Sequence, residues 1–214
     1  MKKEKYNPWY LLLIIPFALG FTVALLEEHF YFAEKAVFDA LRLMSPWADL
    51  PMKVLTELGS AVGVISMTVV ILIVSAITKR FMTVGLPVAI ASLLSRGVNI
   101  LLKNIIDRPR PDFKVFAAGE SSFPSGHAQN NMALYISLLL VLLLVVTAPK
   151  WRITLKITLI ALPVIIGVTR LYFGVHYLSD VVAGWSMGAL VATFAVWAYF
   201  KIYNHLKEKK NAKA

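Results

Sequence analysis

Residues 129–148 read QNNMALYISLLLVLLLVVTA, a polar opening followed by a run from Met132 to Val146 that only Tyr135 and Ser137 interrupt. At a rise of about 1.5 Å per residue, a helix of this length covers roughly the 30 Å of a bilayer's hydrocarbon core. Comparable windows recur at 9–26, 54–77, 81–102, 151–168 and 178–200. The pattern predicts an all-α fold, a bundle of six transmembrane helices forming a single integral-membrane domain over residues 1–214, with no internal repeat. Composition agrees: 58% of residues are hydrophobic and only 16% charged, against about 45–50% apolar in soluble domains. A soluble protein built on one core is excluded. The absence of cysteine removes disulfides, thiolate metal sites and a cysteine nucleophile.

Lys2, Lys3 and Lys5 precede the first apolar run, which continues into Glu27-Glu28-His29-Phe30 with no small-x-small cleavage site. The reading is a retained first helix rather than a signal peptide. Segment 27–53 is too polar to span. Its Phe30, Ala33, Val37, Ala40 and Leu41 recur at three- and four-residue steps opposite Glu34, Lys35, Asp39 and Arg42. That spacing predicts an amphipathic helix lying in the interface between the first two spans, either a connector or a lid.

The net charge of +10 divides into two populations. With six spans, one side carries Lys2, Lys3, Lys5, Lys79, Arg80, Lys150, Arg152 and five lysines after residue 200, and the other carries eight basic residues. The excess of lysine and arginine places both termini in the cytoplasm. On the opposite side Lys103, Arg108, Arg110, Lys114 and Arg170 crowd into two stretches, so these charges are not topological signals alone. No nucleic-acid partner is needed to explain them, and no obligatory protein partner is evident.

The remaining outer polar residues open and close spans three to six: Lys103 and Arg110, Ser125-Gly126-His127, Arg170, His176 and Asp180. Each type has a task on a phosphate ester. Lys103, Arg110 and Arg170 suit the equatorial oxygens. Ser125 and Gly126 stand where a helix begins, and its free N–H groups favour an anion. His176 and Asp180, four residues apart, share a face if both are helical, and the carboxylate then orients the imidazole for attack on phosphorus. His127 is a candidate general acid and base. The reading needs no cofactor and no metal, since no second carboxylate cluster is present to hold one. Taken singly, Lys103 reads as well as a headgroup anchor, RPRP as a rigid turn, His127 as a cap and His176/Asp180 as a structural hydrogen bond; the combination favours catalysis. Arg108 and Lys114 are assigned to the rim, Arg96 and Glu57 to an intramembrane pair beneath the site, and Lys156 to snorkelling at the cytoplasmic end.

The stretches KNIIDRPRP (103–111), PSGH (124–127) and TRLYFGVHYLSD (169–180) resemble the three signatures of the type 2 phosphatidic acid phosphatase superfamily, K-x6-R-P, P-S-G-H and S-R-x5-H-x3-D. That family shares its site with vanadium haloperoxidases. Thr169 stands where the family usually has serine. The resemblance covers spans three to six and implies a phosphohistidine on His176, proton donation by His127, orientation by Asp180, and phosphate binding by Lys103, Arg110, Ser125, Gly126 and Arg170. Within the superfamily the chain is most similar to bacterial enzymes of the phosphatidylglycerophosphatase B type, which also act on undecaprenyl pyrophosphate. The implied function is a metal-independent lipid phosphate phosphatase of the plasma membrane with its site at the outer face. Phosphatidylglycerophosphate is the favoured substrate, with undecaprenyl pyrophosphate, phosphatidate and diacylglycerol pyrophosphate as alternatives. A transporter of phosphorylated solutes or a catalytically silent lipid-binding protein are the rival classes.

Overall fold

The computed structural model describes residues 12–117, 119 and 121–212; Lys2, Lys3, Lys5 and Lys213 lie outside them. Among the described residues the protein is all-α, without strands. Its helices are α1 (Ile14–Leu25), α2 (Glu27–Arg42), α3 (Asp49–Leu58), α4 (Ala61–Ile77), α5 (Leu86–Ile106, preceded by a π-turn Phe81–Gly85), α6 (Gly126–Leu143), α7 (Pro149–Tyr172) and α8 (Leu178–Asn211). Three of the helical stretches are long and apolar enough to cross a membrane, namely Phe81–Ile106, Pro149–Tyr172 and Leu178–Asn211. The number rises to five if the bent pairs α1–α2 and α3–α4 each count as one span. Apolar side chains turn outward along them, including Val62, Ile65, Ile73 and Ile77 on α4 and Ile153, Ile157 and Ile160 on α7. Such faces suit a lipid surround, where the backbone polar groups must be satisfied within each helix.

Helix α6 is the centre of the bundle and packs against α5, α7 and α8. In lipid there is little hydrophobic drive between helices, so close approach and hydrogen bonds hold them together. Gly184 and Gly188 of α8 supply the approach: a Cβ at Gly184 would lie 2.8 Å from the Ser125 carbonyl, and one at Gly188 would meet the backbone of Gln129. The hydrogen bonds come from the polar first turns of α6. Asn99 Nδ2 donates to Pro124 O and to Gln129 Oε1, Gln129 Nε2 donates to Ser95 O, and Ser95 Oγ donates to Asn130 Oδ1. These bonds tie α5 to the start of α6 and fix the turn before it.

Two expectations are corrected. The apolar window 54–77 is not one straight helix, because it breaks at Gly59–Ser60 with a bend of 56°. Ser60 caps α4 by accepting from Gly63 N, and Gly59 O accepts from Asn131 Nδ2. Only glycine fits there, because a Cβ would run into Ile166. Segment 27–53 likewise forms two helices, parted around Pro46, where proline cannot continue the backbone ladder. On α2 the expected apolar face is divided. Val37 and Leu41 pack on the core, whereas Phe30, Ala33 and Ala40 are exposed and Glu34 is buried.

Arg152 donates to the carbonyls of Leu143 and Val146. It therefore also closes the C-terminal end of α6, where the final carbonyls have no helical partner.

Candidate active site

The loops at one end of α5–α8 enclose a cavity of about 450 Å³, whose wall includes Lys103, Arg110, Gly126, His127, Arg170 and His176. Six of the eight residues expected at the site therefore share one wall. The other two lie behind it. Asp180 is fully buried, and Ser125 is fully buried with its Oγ accepting from Ala128 N as the cap of α6. Backbone pairing joins these two, since Ser125 N donates to Asp180 O at 3.0 Å.

His176 is not helical; it ends the loop before α8, and Asp180 is the third residue of α8. The four-residue spacing brings them together by a different route from a shared helix face. The Asp180 carboxylate turns back over the helix start, where Oδ2 accepts from Tyr177 N at 3.0 Å and faces His176 Nδ1 at 3.3 Å. A carboxylate there meets unpaired N–H groups and the positive end of the helix dipole. With Nδ1–H toward Asp180, Nε2 carries the lone pair, and Arg110 Nη1 points to it from 3.2 Å. Burial holds the His176 imidazole well below its ordinary range, the opposing pull of Asp180 notwithstanding. The side chain is neutral at pH 7, with the Nε2 electron pair engaged by Arg110 at the cavity wall.

Each cation is held by backbone or hydroxyl oxygens. Lys103 Nζ donates to Ser121 O at 2.7 Å, Arg110 Nη1 donates to Val175 O at 2.7 Å and its Nε to Gly119 O, and Arg170 Nη1 donates to Thr56 Oγ1. Neutral anchors, with no carboxylate in direct contact with these three side chains among the described residues, leave their positive charge available to an anion.

Arg108, expected at the rim, is only 3% exposed. Its Nη1 donates to Asp180 Oδ1 at 2.7 Å and to Ser179 Oγ at 2.8 Å, and its guanidinium lies 3.9 Å from the centre of the Tyr177 ring. A residue before proline favours extended backbone, and in a polyproline helix side chains two apart diverge by about a third of a turn. Arg108 turns to Asp180 and Arg110 to the cavity, a divergence compatible with an extended Arg-Pro-Arg-Pro segment. Among the described residues Lys114 reaches only Pro111 O, at 3.5 Å.

Two contributions from the N-terminal half carried no sequence signal. Glu34 accepts from Leu178 N at 2.6 Å, from Ser179 N at 3.2 Å and from Ser179 Oγ, capping α8 from another helix. Thr56 and Glu57 bring α3 to the cavity wall. Arg96 also lines the cavity, but it makes no ion pair with Glu57, so the expected pair is not formed.

The PAP2 superfamily model matches residues 66–204, a stretch that contains all three signature segments. The chain belongs to the PAP2 superfamily. It is 32% identical over 163 residues to phosphatidylglycerophosphatase B of Bacillus subtilis, covering 74% of this chain and 79% of that protein. It is 30% identical over 127 residues to an undecaprenyl-diphosphatase of Sulfolobus acidocaldarius, 56% of this chain and 57% of that one. Among solved structures it is similar to a transmembrane PAP2-type phosphatidylglycerolphosphate phosphatase from Bacillus subtilis. The TM-score is 0.77 at 27% identity, over 89% of this chain and 96% of that chain. The fold of that enzyme is thus the fold of this chain.

Proposed function

We propose that the protein hydrolyses the terminal phosphate of phosphatidylglycerophosphate, leaving phosphatidylglycerol in the membrane, through a phosphohistidine on His176. The protein is a PAP2 membrane lipid phosphatase, a hydrolase of phosphate esters. The observation that carries the mechanism is the His176 ring, with Nδ1 against Asp180 and Nε2 against Arg110 in a cavity lined by four cations and a second histidine.

In the first step Nε2 attacks phosphorus. The P–O bond to the glycerol breaks, its electrons pass to the oxygen, and His127 delivers the proton that oxygen needs. Lys103, Arg110 and Arg170 hold the phosphoryl oxygens, together with the N–H groups of the first turn of α6 at Gly126, a turn that Ser125 caps. Arg110 exchanges its bond to His176 for one to the phosphate. The buried Arg170 Nε has no partner among the described residues, and a phosphate oxygen would satisfy it. In the second step water gives a proton to His127 and attacks phosphorus, breaking the P–N bond and releasing phosphate. Asp180 stabilises the positive charge on the His176 ring between the steps. Arg108 is a positioning residue: by occupying Oδ1 of Asp180 it leaves Oδ2 to the histidine.

For the membrane arrangement, six spans are assigned to α1, the α3–α4 pair, α5, α6, α7 and α8, with α2 in the interface. Lys79, Arg80, Lys150, Arg152 and the α8 lysines mark the cytoplasmic side, opposite the site. The chain has no cysteine, so single cysteines at Ala117 and Glu208 can be probed with an impermeant maleimide. Labelling of whole cells at position 117 alone is expected; labelling at 208 alone would invert the topology.

The substrate assignment is tested by phosphate release from purified protein on phosphatidylglycerophosphate, phosphatidate, diacylglycerol pyrophosphate and undecaprenyl pyrophosphate. The highest kcat/KM is expected on the first, unchanged by a chelator. Loss of activity in EDTA that added metal restores would refute the metal-free scheme. No release from any of the four would return the site to the transporter or binding classes.

A further inference from the structure

Arg96 lies inside α5, ten residues before the helix ends. A charged side chain at such a depth costs about 2.5–3.5 kcal/mol on insertion scales. Among the described residues Arg96 forms neither a hydrogen bond nor an ion pair that would offset this. It lines the same cavity as Lys103 and is seven residues from it, two turns along one helix face and about 10 Å down the axis. Ile100 of α5 and Ala61 and Val64 of α4 border the cavity on that side. The cavity therefore runs from the histidine pair toward a partly apolar end and carries a second, isolated cation on the way.

The charges on the wall can be added. Arg96, Lys103, Arg110 and Arg170 contribute four positive charges and Glu57 one negative, leaving three before the proton that His127 delivers is counted. A lone phosphomonoester carries up to two negative charges. A lipid with a further phosphodiester carries three.

We propose that Arg96 is a specificity residue that binds a second phosphate of the substrate, the phosphodiester that joins a glycerol bridge to the lipid. The inference rests on the lipid phosphatase reading of the site and deepens it. In a pyrophosphate the second phosphorus is one oxygen away and stays under Lys103 and Arg110. A three-carbon bridge carries it further, toward Arg96, with the acyl chains leaving past α4 and α5.

The test compares wild type with Arg96→Gln and Arg96→Lys on short-chain phosphatidylglycerophosphate, phosphatidate and diacylglycerol pyrophosphate in one detergent. Arg96→Gln should lower kcat/KM on phosphatidylglycerophosphate about 10- to 100-fold, the worth of one hydrogen bond to a charged group. The loss should lie mainly in KM, with the other two lipids within about twofold of wild type. Arg96→Lys, which keeps the charge, should recover most of the loss. Equal losses on all three lipids, a loss on diacylglycerol pyrophosphate as large as on phosphatidylglycerophosphate, or no loss on any would each overturn the proposal. If Arg96→Gln cannot be purified, inhibition of the wild type decides. Short-chain phosphatidylglycerol, which keeps the phosphodiester, should inhibit more strongly than the diacylglycerol left from phosphatidate, and equal inhibition would overturn the assignment. A wild type inactive on all three lipids defeats the underlying reading as well, a result distinct from an active enzyme indifferent to Arg96.

Discussion

Helices α5–α8 and the α2–α3 arm reach the same cavity in different ways. From α5–α8 and their loops come ionisable groups fixed by direct contacts with one another or with backbone: His176 by Asp180, Asp180 by Arg108, and Arg110 by Val175 O. The α2–α3 arm turns large apolar side chains outward, with Phe32 82% and Leu43 84% exposed, and directs a few polar groups inward. Glu34 caps α8 and Thr56 holds Arg170. In the proposed mechanism the first region carries the reacting groups, while the second helps to set their position. The difference shows that the parts of this site with chemical names are supported by parts that have none in the sequence.

Substitutions should separate the two regions by size of effect. The largest belongs to His176. His176→Asn should reduce turnover by roughly 10⁴-fold or more with substrate binding retained, as expected when a nucleophile is lost from a unit of cooperating groups. Steady-state kinetics and lipid binding in the same detergent check this. Asp180→Asn should follow, at roughly 10³–10⁴-fold, because the amide favours the wrong tautomer of the ring.

Arg108 is the next point at which the comparison can be broken. Arg108→Met leaves a buried carboxylate short of its cation, and removing one member of such a pair costs about 3–5 kcal/mol. Thermal unfolding in detergent measures that part. If Arg108 also positions the histidine through Asp180, kcat falls with KM unchanged, and Arg108→Lys recovers activity in part. A variant that is destabilised but turns over normally when folded would make Arg108 structural only. Glu34→Gln, in the arm, should cost about 1–3 kcal/mol of stability through its hydrogen bonds to α8, while kcat changes less than tenfold.

The smallest expected effect is on pH. Below about pH 6.5 an unfolded imidazole takes up a proton, whereas the folded protein holds His176 neutral. The folded state then binds fewer protons, so stability falls as the pH drops below that value, by at most about 1.4 kcal/mol per pH unit. His176→Gln should show a shallower acid loss than wild type, and an identical slope would contradict the buried neutral ring.

The same contrast explains what could be read in advance. The gathering of Lys103, Arg110, His127, Arg170 and His176 on one cavity wall was legible because those types suit a phosphate and stand together at helix ends. The bend at Gly59 was hidden because hydropathy does not change across it; only the contact with Ile166 on α7 requires the glycine. Glu34 was placed on the polar face of α2 because its partners, Leu178 and Ser179, are 144 and 145 residues away. Arg108 was misplaced for a related reason: its partner, Asp180, is 72 residues distant. Helical periodicity reports a polar face without saying whether that face meets water or the end of another helix.

The claim that His176 forms a covalent intermediate can be tested directly. Purified protein mixed with phosphatidylglycerophosphate, quenched in alkali within one turnover and digested for mass spectrometry, should carry a phosphoryl group on the His176 ring. The label should persist longer in His127→Ala, in which water is no longer activated. A phosphoryl group on another residue, or turnover in wild type with no phosphorylated peptide in either protein, would contradict it.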